Sequence, residues 1–501
     1  MELPAPDKAR PGEQWALAAI SLAILVAYGA IWTRGIQGDD LCMCELASAH
    51  GYWDAVHHWL DNWNGRLFLA ITQIGTYHLP WFSDPLRAPW YLIHATVVLA
   101  HVTFCGLLFN LLVRAGIASG AALTAILIFA IHPITSEPVL WLAESYGYVF
   151  GNLLTLLTVW AYLEYERRGT IVWLGLTLPM AIFATLGIEQ YLFVLGAIAV
   201  SFFSRSFWQK SAHSPWLPLL IVTCCALVFA AVHFGLFSGT AERIARTMGQ
   251  MQPPAEPGIV WKLAWWLSLL PNTSPYGGVL QVGLHFLAEH RWMTALVAPV
   301  AIGAAWRIAA ASSWLVATNR SLPNRHLWLI ITGLAVFSAA LLPFAFTDSY
   351  GIAIRNIYVA LPGLVIVGAA VLDLLSGHLV LRTVLRLILA PFVAAFVVMS
   401  LIINIGAQAL FASSWQLHRD VIETIRMDAD AIRQSSAVEI TGIPPVPYKA
   451  ISQLGTAWAF PCLVRWTVGE NDVRGWNNLM KFEDRPSGLQ SSHRIHLQRA
   501  D

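Results

Sequence analysis

Residues 90–112 read W-Y-L-I-H-A-T-V-V-L-A-H-V-T-F-C-G-L-L-F-N-L-L, twenty-three positions without Asp, Glu, Lys or Arg. A run of that length and apolarity suits a helix that crosses a bilayer, which needs roughly 20 residues to span about 30 Å of hydrocarbon. Similar runs recur near 15–33, 120–133, 146–164, 171–187, 188–204, 215–237, 292–310, 327–346, 356–376 and 383–409. The pattern predicts an all-α polytopic membrane protein with about eleven transmembrane helices.

Composition agrees. Of 501 residues, 57% are hydrophobic and only 12% charged; soluble domains carry about twice that charged fraction. A net charge of +1 argues against nucleic acid or a strongly anionic partner as the main ligand. The Trp residues gather near span ends, as interfacial belts do. The first apolar segment follows Lys8 and Arg10 and is too long for a typical signal peptide, so it reads as a retained signal anchor.

With the N-terminus inside, Arg114, Arg167, Arg168, Arg205, Lys210, Arg307, Arg320, Arg325, Arg382 and Arg386 fall in cytoplasmic connections. The short loops on the other side, around His132 and Gly187, hold no Lys or Arg. An odd number of spans and an extracytoplasmic C-terminus follow.

That topology collects the unusual polar residues on one face. Asp39 and Asp40 lie in an external loop, 34–89, and two adjacent carboxylates at a water–lipid boundary are costly unless used. With them on this face come Arg66, His132, Glu137, Trp141, Glu144, Glu189, Asp348 and Arg355. A transporter more often carries its charged groups midway through several spans. Glu137, Trp141, Glu144 and Tyr148 share one face of a single predicted helix capped by Ser136. Carboxylates beside an aromatic plane suit a sugar ring; a solvated interfacial helix is the plain alternative.

Several motifs, in order, resemble one family. I-H-P-I-T-S-E-P-V-L-W-L-A-E-S-Y-G-Y-V-F-G-N-L-L at 131–154, with Y-L-E-Y at 162–165, is similar to a segment of the tetratricopeptide-bearing O-mannosyltransferases and their bacterial relatives. G-I-E-Q-Y at 187–191 is similar to their K-E-Q run, and R-N-I-Y-V-A-L-P-G at 355–363 to R-x-x-Y-L-P-S-x-G. Asp39-Asp40 followed by W-N-G-R at 63–66 resembles the first external loop of bacterial GT-C glycosyltransferases. Ile188 stands where those proteins often have Lys, Ala360 interrupts the Tyr-Leu-Pro spacing, and no tetratricopeptide array follows.

The resemblance implies transfer of a sugar from a polyprenyl-phosphate-linked donor to a glycan, lipid or protein acceptor at the outer face of a bacterial-type inner membrane. It carries the catalytic role to Asp39 or Asp40, with Asp40 less favoured as the base. Two neighbouring carboxylates repel when both ionised, which raises one pKa toward a useful range. Helix capping is the bland reading of the pair, with Gly38 making the turn. Arg66 would pair with Asp39, with Asp40 or with a lipid phosphate, or simply snorkel to headgroups. Arg355 would hold the donor phosphate bidentately, or pair with Asp348, with Tyr358 close by in the motif. His132 reads as a helix-end hydrogen-bond donor rather than a metal ligand. No nucleotide cofactor is expected, because no Walker loop or dinucleotide fingerprint is present, and a divalent cation is left open. The competing function is a non-enzymatic transporter or flippase of a lipid-linked glycan.

Residues 1–410 form the transmembrane domain in this reading, and 411–501 an extracytoplasmic α/β appendage. The latter is expected to hold an amphipathic helix at 414–434, a strand near 437–442 and a loose tail from Glu483. Cys42, Cys44 and Cys462 face an oxidising side and are candidates for one disulfide.

Overall fold

The structure is a computed structural model. It describes residues 11–62, 66–209, 214–232, 277–291, 295, 297–299, 303, 323–345, 354–376, 390–435, 437–443, 459–469, 472–480 and 493–497. Asp348 and most of the span expected at 292–310 lie outside the described residues.

The described chain is a helical bundle. Helix α1 (Pro11–Tyr28) is followed by three short helices, α2 (Asp39–Ala49), α3 (Tyr52–Asn62) and α4 (Leu67–Tyr77), then by α5 (Trp90–Arg114) and α6 (Ser119–Ala130). Next come α7 (Ser136–Leu140), α8 (Leu142–Arg168), α9 (Ile171–Gly187), α10 (Gln190–Gln209), α11 (Leu217–Ala230) and α12 (Gly277–Glu289). The bundle closes with α13 (Pro323–Ala345), α14 (Ile354–Ser376) and α15 (Ala390–Met427). By length and composition five described helices can cross a membrane, at Glu13–Thr33, Trp90–Arg114, Arg325–Pro343, Asn356–Ser376 and Pro391–Met427. The four apolar helices Leu67–Tyr77, Ile171–Gly187, Gln190–Ser204 and Leu217–Ala230 are shorter.

The expected span at 120–133 is instead half of a broken one. Helix α6 stops at Ala130, and the chain bends by 54° into the segment Pro133–Leu140. Pro133 has no N–H to continue the ladder, and the bend leaves carbonyls in a region where each must find a partner. His101 Nε2 lies 3.0 Å from Ala130 O, and Asn404 Nδ2 donates to Ile131 O at 2.7 Å. Both side chains are fully buried, so polar residues from α5 and α15 satisfy the break.

The single helix expected to carry Glu137, Trp141, Glu144 and Tyr148 is also interrupted. Trp141 has extended backbone (φ −99°, ψ 113°) between α7 and α8, so the four side chains do not form one continuous helical face. The stretch after Gly38, expected as an external loop, is helical: Asp39 and Asp40 begin α2.

Beyond residue 410 the last span does not stop. Helix α15 runs 38 residues to Met427, so most of the amphipathic helix expected at 414–434 is its continuation, with α16 (Ala429–Ser435) following. Strand β1 (Ala437–Thr441) then pairs in parallel with β2 (Arg474–Asn477) and β3 (His493–His496), in the order β2-β1-β3. Parallel neighbours need a crossover, and between β1 and β2 the chain supplies α17 (Ala459–Val468). Central β1 is buried at Ala437, Val438, Glu439 and Ile440, as a strand flanked on both edges and covered by a helix should be. The tail expected to be loose from Glu483 thus contributes β3.

Candidate active site

The turn into α2 is made by Gly38, whose backbone (φ 60°, ψ −120°) lies where only glycine is comfortable. The segment before it is pinned from three sides. Trp141 Nε1 donates to Gln37 O at 3.1 Å, Gln37 Nε2 to Phe411 O at 3.3 Å, and His94 Nε2 meets Gly35 O at 3.0 Å. Gly35 packs against the Trp415 indole so closely that a Cβ would sit 2.1 Å from a ring carbon, so only glycine fits there.

The two aspartates that follow have opposite environments. Asp39 is half-buried, whereas Asp40 is 0% exposed. Asp40 Oδ1 accepts from the Tyr77 hydroxyl at 2.6 Å and from Gln73 Nε2 at 3.1 Å. Its Oδ2 accepts from the Gln37 N–H at 3.3 Å, and the Ala143 backbone N–H, in the first turn of α8, also bonds the carboxyl. Burial pushes the Asp40 carboxyl up to about 7; the Tyr77 and Gln37 bonds oppose that rise, and the charge of Asp39 adds to it. Asp40 is therefore poised near neutrality and held in place, while its neighbour on the same turn reaches the surface.

Glu144, buried and next in sequence to Ala143, links this turn to a second cluster. Arg66, at the start of α4, pairs with Glu189 rather than with either aspartate, Nη2 to Oε1 at 3.3 Å and Nε to Oε2 at 3.4 Å. Burial works against the Arg66 charge, but Glu189, Tyr148 and Glu144 outweigh it and hold the guanidinium charged. The Tyr148 hydroxyl donates to Asn356 Oδ1, and Gln190 Nε2 donates to Asn356 O at 3.2 Å and Ala340 O at 2.8 Å. These bonds fix the first turn of α14, which carries Arg355.

Thus Asp39, Asp40, Trp141 and Glu144 gather around the start of α2, and Arg66, Glu144 and Glu189 adjoin them. His132 and Tyr358 do not join them. His132 Nδ1 accepts from the Ile134 N–H, so the side chain caps the turn after Ala130 through that nitrogen, and its ring packs on Phe396. The Tyr358 hydroxyl meets His101 Nδ1 at 3.0 Å inside the bundle. Glu137 lies in the first turn of α7.

Sequence reading missed Tyr77 and Gln73, the side chains that hold Asp40. Their signal was present: Gln73 and Tyr77 stand four apart, on one face of α4. Among the described residues, no group of three or more His, Cys, Asp or Glu is arranged to hold a metal ion.

The disulfide expected among Cys42, Cys44 and Cys462 joins Cys42 of α2 to Cys462 of α17, leaving Cys44 as a free, buried thiol. The C-terminal module is therefore bonded to the helix that begins with Asp39 and Asp40.

No family model matches the chain, and no curated protein matches it. Among solved structures it is similar to the crystal structure of ArnT from Cupriavidus metallidurans in the apo state, at 13% identity over 92% of this chain and 85% of that one, with a TM-score of 0.38. Likeness at that level leaves the reading of function to the site itself.

Proposed function

We propose that the protein is a GT-C-like glycosyltransferase that moves a sugar from a polyprenyl-phosphate-linked donor to a glycan, lipid or protein acceptor at the outer face of the inner membrane. The observation that carries this reading is the division between the aspartates: Asp39 reaches the surface, and Asp40 beside it is buried and tethered by four donors. A disulfide on the same helix supports an oxidising, extracytoplasmic side.

In this mechanism Asp39 takes the proton of the acceptor hydroxyl as its oxygen attacks the anomeric carbon. The bond from that carbon to the phosphate oxygen breaks, and the electron pair leaves with the polyprenyl phosphate. Arg355, at the start of α14, holds the departing phosphate. Asp40 keeps the turn rigid and sets the local charge against which Asp39 works. Trp141, buried with its Nε1 on Gln37 O, and the buried Glu144 shape the wall of the site behind the aspartate turn.

Incubation of the purified full chain with radiolabelled polyprenyl-phosphate sugars and an envelope extract tests the reading. Label transferred to an acceptor, with release of polyprenyl phosphate, is the expected result. Movement of intact labelled lipid across vesicles without bond cleavage would replace it with the flippase reading.

A further inference from the structure

Among the described residues, an apolar cavity that the proposed chemistry does not use lies away from Asp39. Asp40 meets the first turn of α8 at Ala143, whereas the cavity opens along the later part of that helix, from Asn152 to Leu163. Helices α5, α8, α10, α13 and α14 wall it, and the empty space between them, including solvent outside the mouth, is about 1190 Å³. Its surface is overwhelmingly apolar.

Two features define what fits. The first is length. Along α13 the lining runs from Arg325 to Val336, along α5 from Ala115 to Phe104, and along α8 from Leu163 to Asn152. Each is a step of eleven residues, roughly 16 Å at 1.5 Å per residue, which is about one leaflet of a hydrocarbon core roughly 30 Å thick. One turn beyond Phe104 along α5, the rings of His101, Phe129 and Tyr358 pack together at 5.6–6.0 Å. The second is charge at the outer end. The Arg325 guanidinium lines the rim and lies flat over Gly116, where a Cβ would come within 1.8 Å of Nη2. Trp328 lines the cavity one turn further in. The same end of the bundle holds Arg114, Arg167 and Arg168 around buried Glu164, at 3.2, 2.5 and 2.8 Å.

We infer that this cavity is a binding site for a glycerophospholipid with an anionic headgroup, one acyl chain lying in the slot and the phosphate on Arg325. An apolar slot one leaflet deep, lined at one end by Arg325 and Trp328, matches that molecule. The site is separate from the proposed transfer chemistry and does not depend on it.

Native mass spectrometry of the detergent-solubilised full chain, titrated with dioleoyl phosphatidylglycerol, tests the inference. One lipid should remain bound under activation that strips the others, and dioleoyl phosphatidylcholine should be retained less well. Arg325→Gln should weaken phosphatidylglycerol retention by about ten- to a hundredfold, the value of one charged hydrogen bond, while Arg325→Lys should keep most of it. Thr332→Phe, or Ser201→Phe from the opposite wall should the first fail to fold, should exclude both lipids by filling the slot. Melting curves without added lipid establish which variants are folded. Equal retention in wild type, Arg325→Gln and the filled variants would overturn the site, and preferential retention of a polyprenyl phosphate would overturn the assignment of its ligand.

Discussion

Arg465 grips both carboxylate oxygens of Glu45, Nε to Oε1 at 2.7 Å and Nη2 to Oε2 at 3.1 Å, across 420 residues of sequence. Cys42 and Glu45 are three apart on α2, and Cys462 and Arg465 are three apart on α17, so the disulfide and the ion pair join the same two helix faces. The end of α2 that carries Asp39 and Asp40 is thus held by both a covalent and a charged contact.

Removing the charged contact should therefore loosen the site. Arg465→Ala leaves the largely buried Glu45 without its fork of donors, and a loss of about 1.5–3 kcal/mol is expected. Thermal unfolding of the oxidised protein measures the cost, and sugar transfer by the folded fraction should fall as well. An unchanged Tm with unchanged transfer would mean that the strap is ornamental.

The paired aspartates should separate by readout. Asp39→Asn removes the proposed base from a half-exposed position, so transfer should drop about 10²- to 10⁴-fold with little change in Tm. Asp40→Asn turns an amide NH₂ toward the donors from Tyr77, Gln73, Gln37 and Ala143, and should lower stability by about 1–3 kcal/mol. Wild-type transfer by well-folded Asn variants at both positions would sink the assignment.

Stability should fall as pH rises toward neutrality. The Asp40 carboxyl titrates at about 7 in the folded chain against an ordinary 3.8, so between those values the folded state binds the extra proton. Its stabilising share is complete below about pH 4 and lost as pH passes about 7. Melting curves of wild type from pH 5 to pH 8 should show this decline, and those of Asp40→Asn should lack it. Tyr77→Phe deletes a donor that holds the value down, so its inflexion should move to higher pH. Parallel profiles for wild type and Asp40→Asn would show that another group is responsible.

Arg355 is the test of donor recognition. Arg355→Lys keeps the charge but loses the planar fork that matches two phosphate oxygens, so donor use should weaken even for this mild change. Arg355→Ala should cost more, about 1.5–3 kcal/mol in donor binding, with acceptor affinity unaltered. Donor titration beside a melting curve decides it, because a purely structural Arg355 predicts a lower Tm and a normal donor affinity.

Long uncharged runs are visible in sequence because a bilayer demands length and apolarity from each segment on its own, and α5, α13 and α14 follow that rule. The break after Ala130 was hidden because its partners, His101 and Asn404, are 29 and 273 residues from the carbonyls they satisfy. Asp39 and Asp40 stood out as a costly pair, but their division into a surface and a buried carboxylate depends on Tyr77 and Gln73, which touch Asp40 only once α2 and α4 have packed. The partner of Arg66 was not among the alternatives for a similar reason: Glu189 is 123 residues away and meets it only once the start of α4 packs against the start of α10.

The bond between Cys42 and Cys462 also sets a schedule. At roughly 5–20 residues per second, the ribosome needs on the order of 20–80 s to go from the first cysteine to the second, which lies 420 residues downstream. Throughout that interval α2 has neither its covalent tie nor the grip of Arg465. A nascent chain can therefore insert its early helices without completing the aspartate turn, and competence arrives only after Cys462 and Arg465 have been delivered.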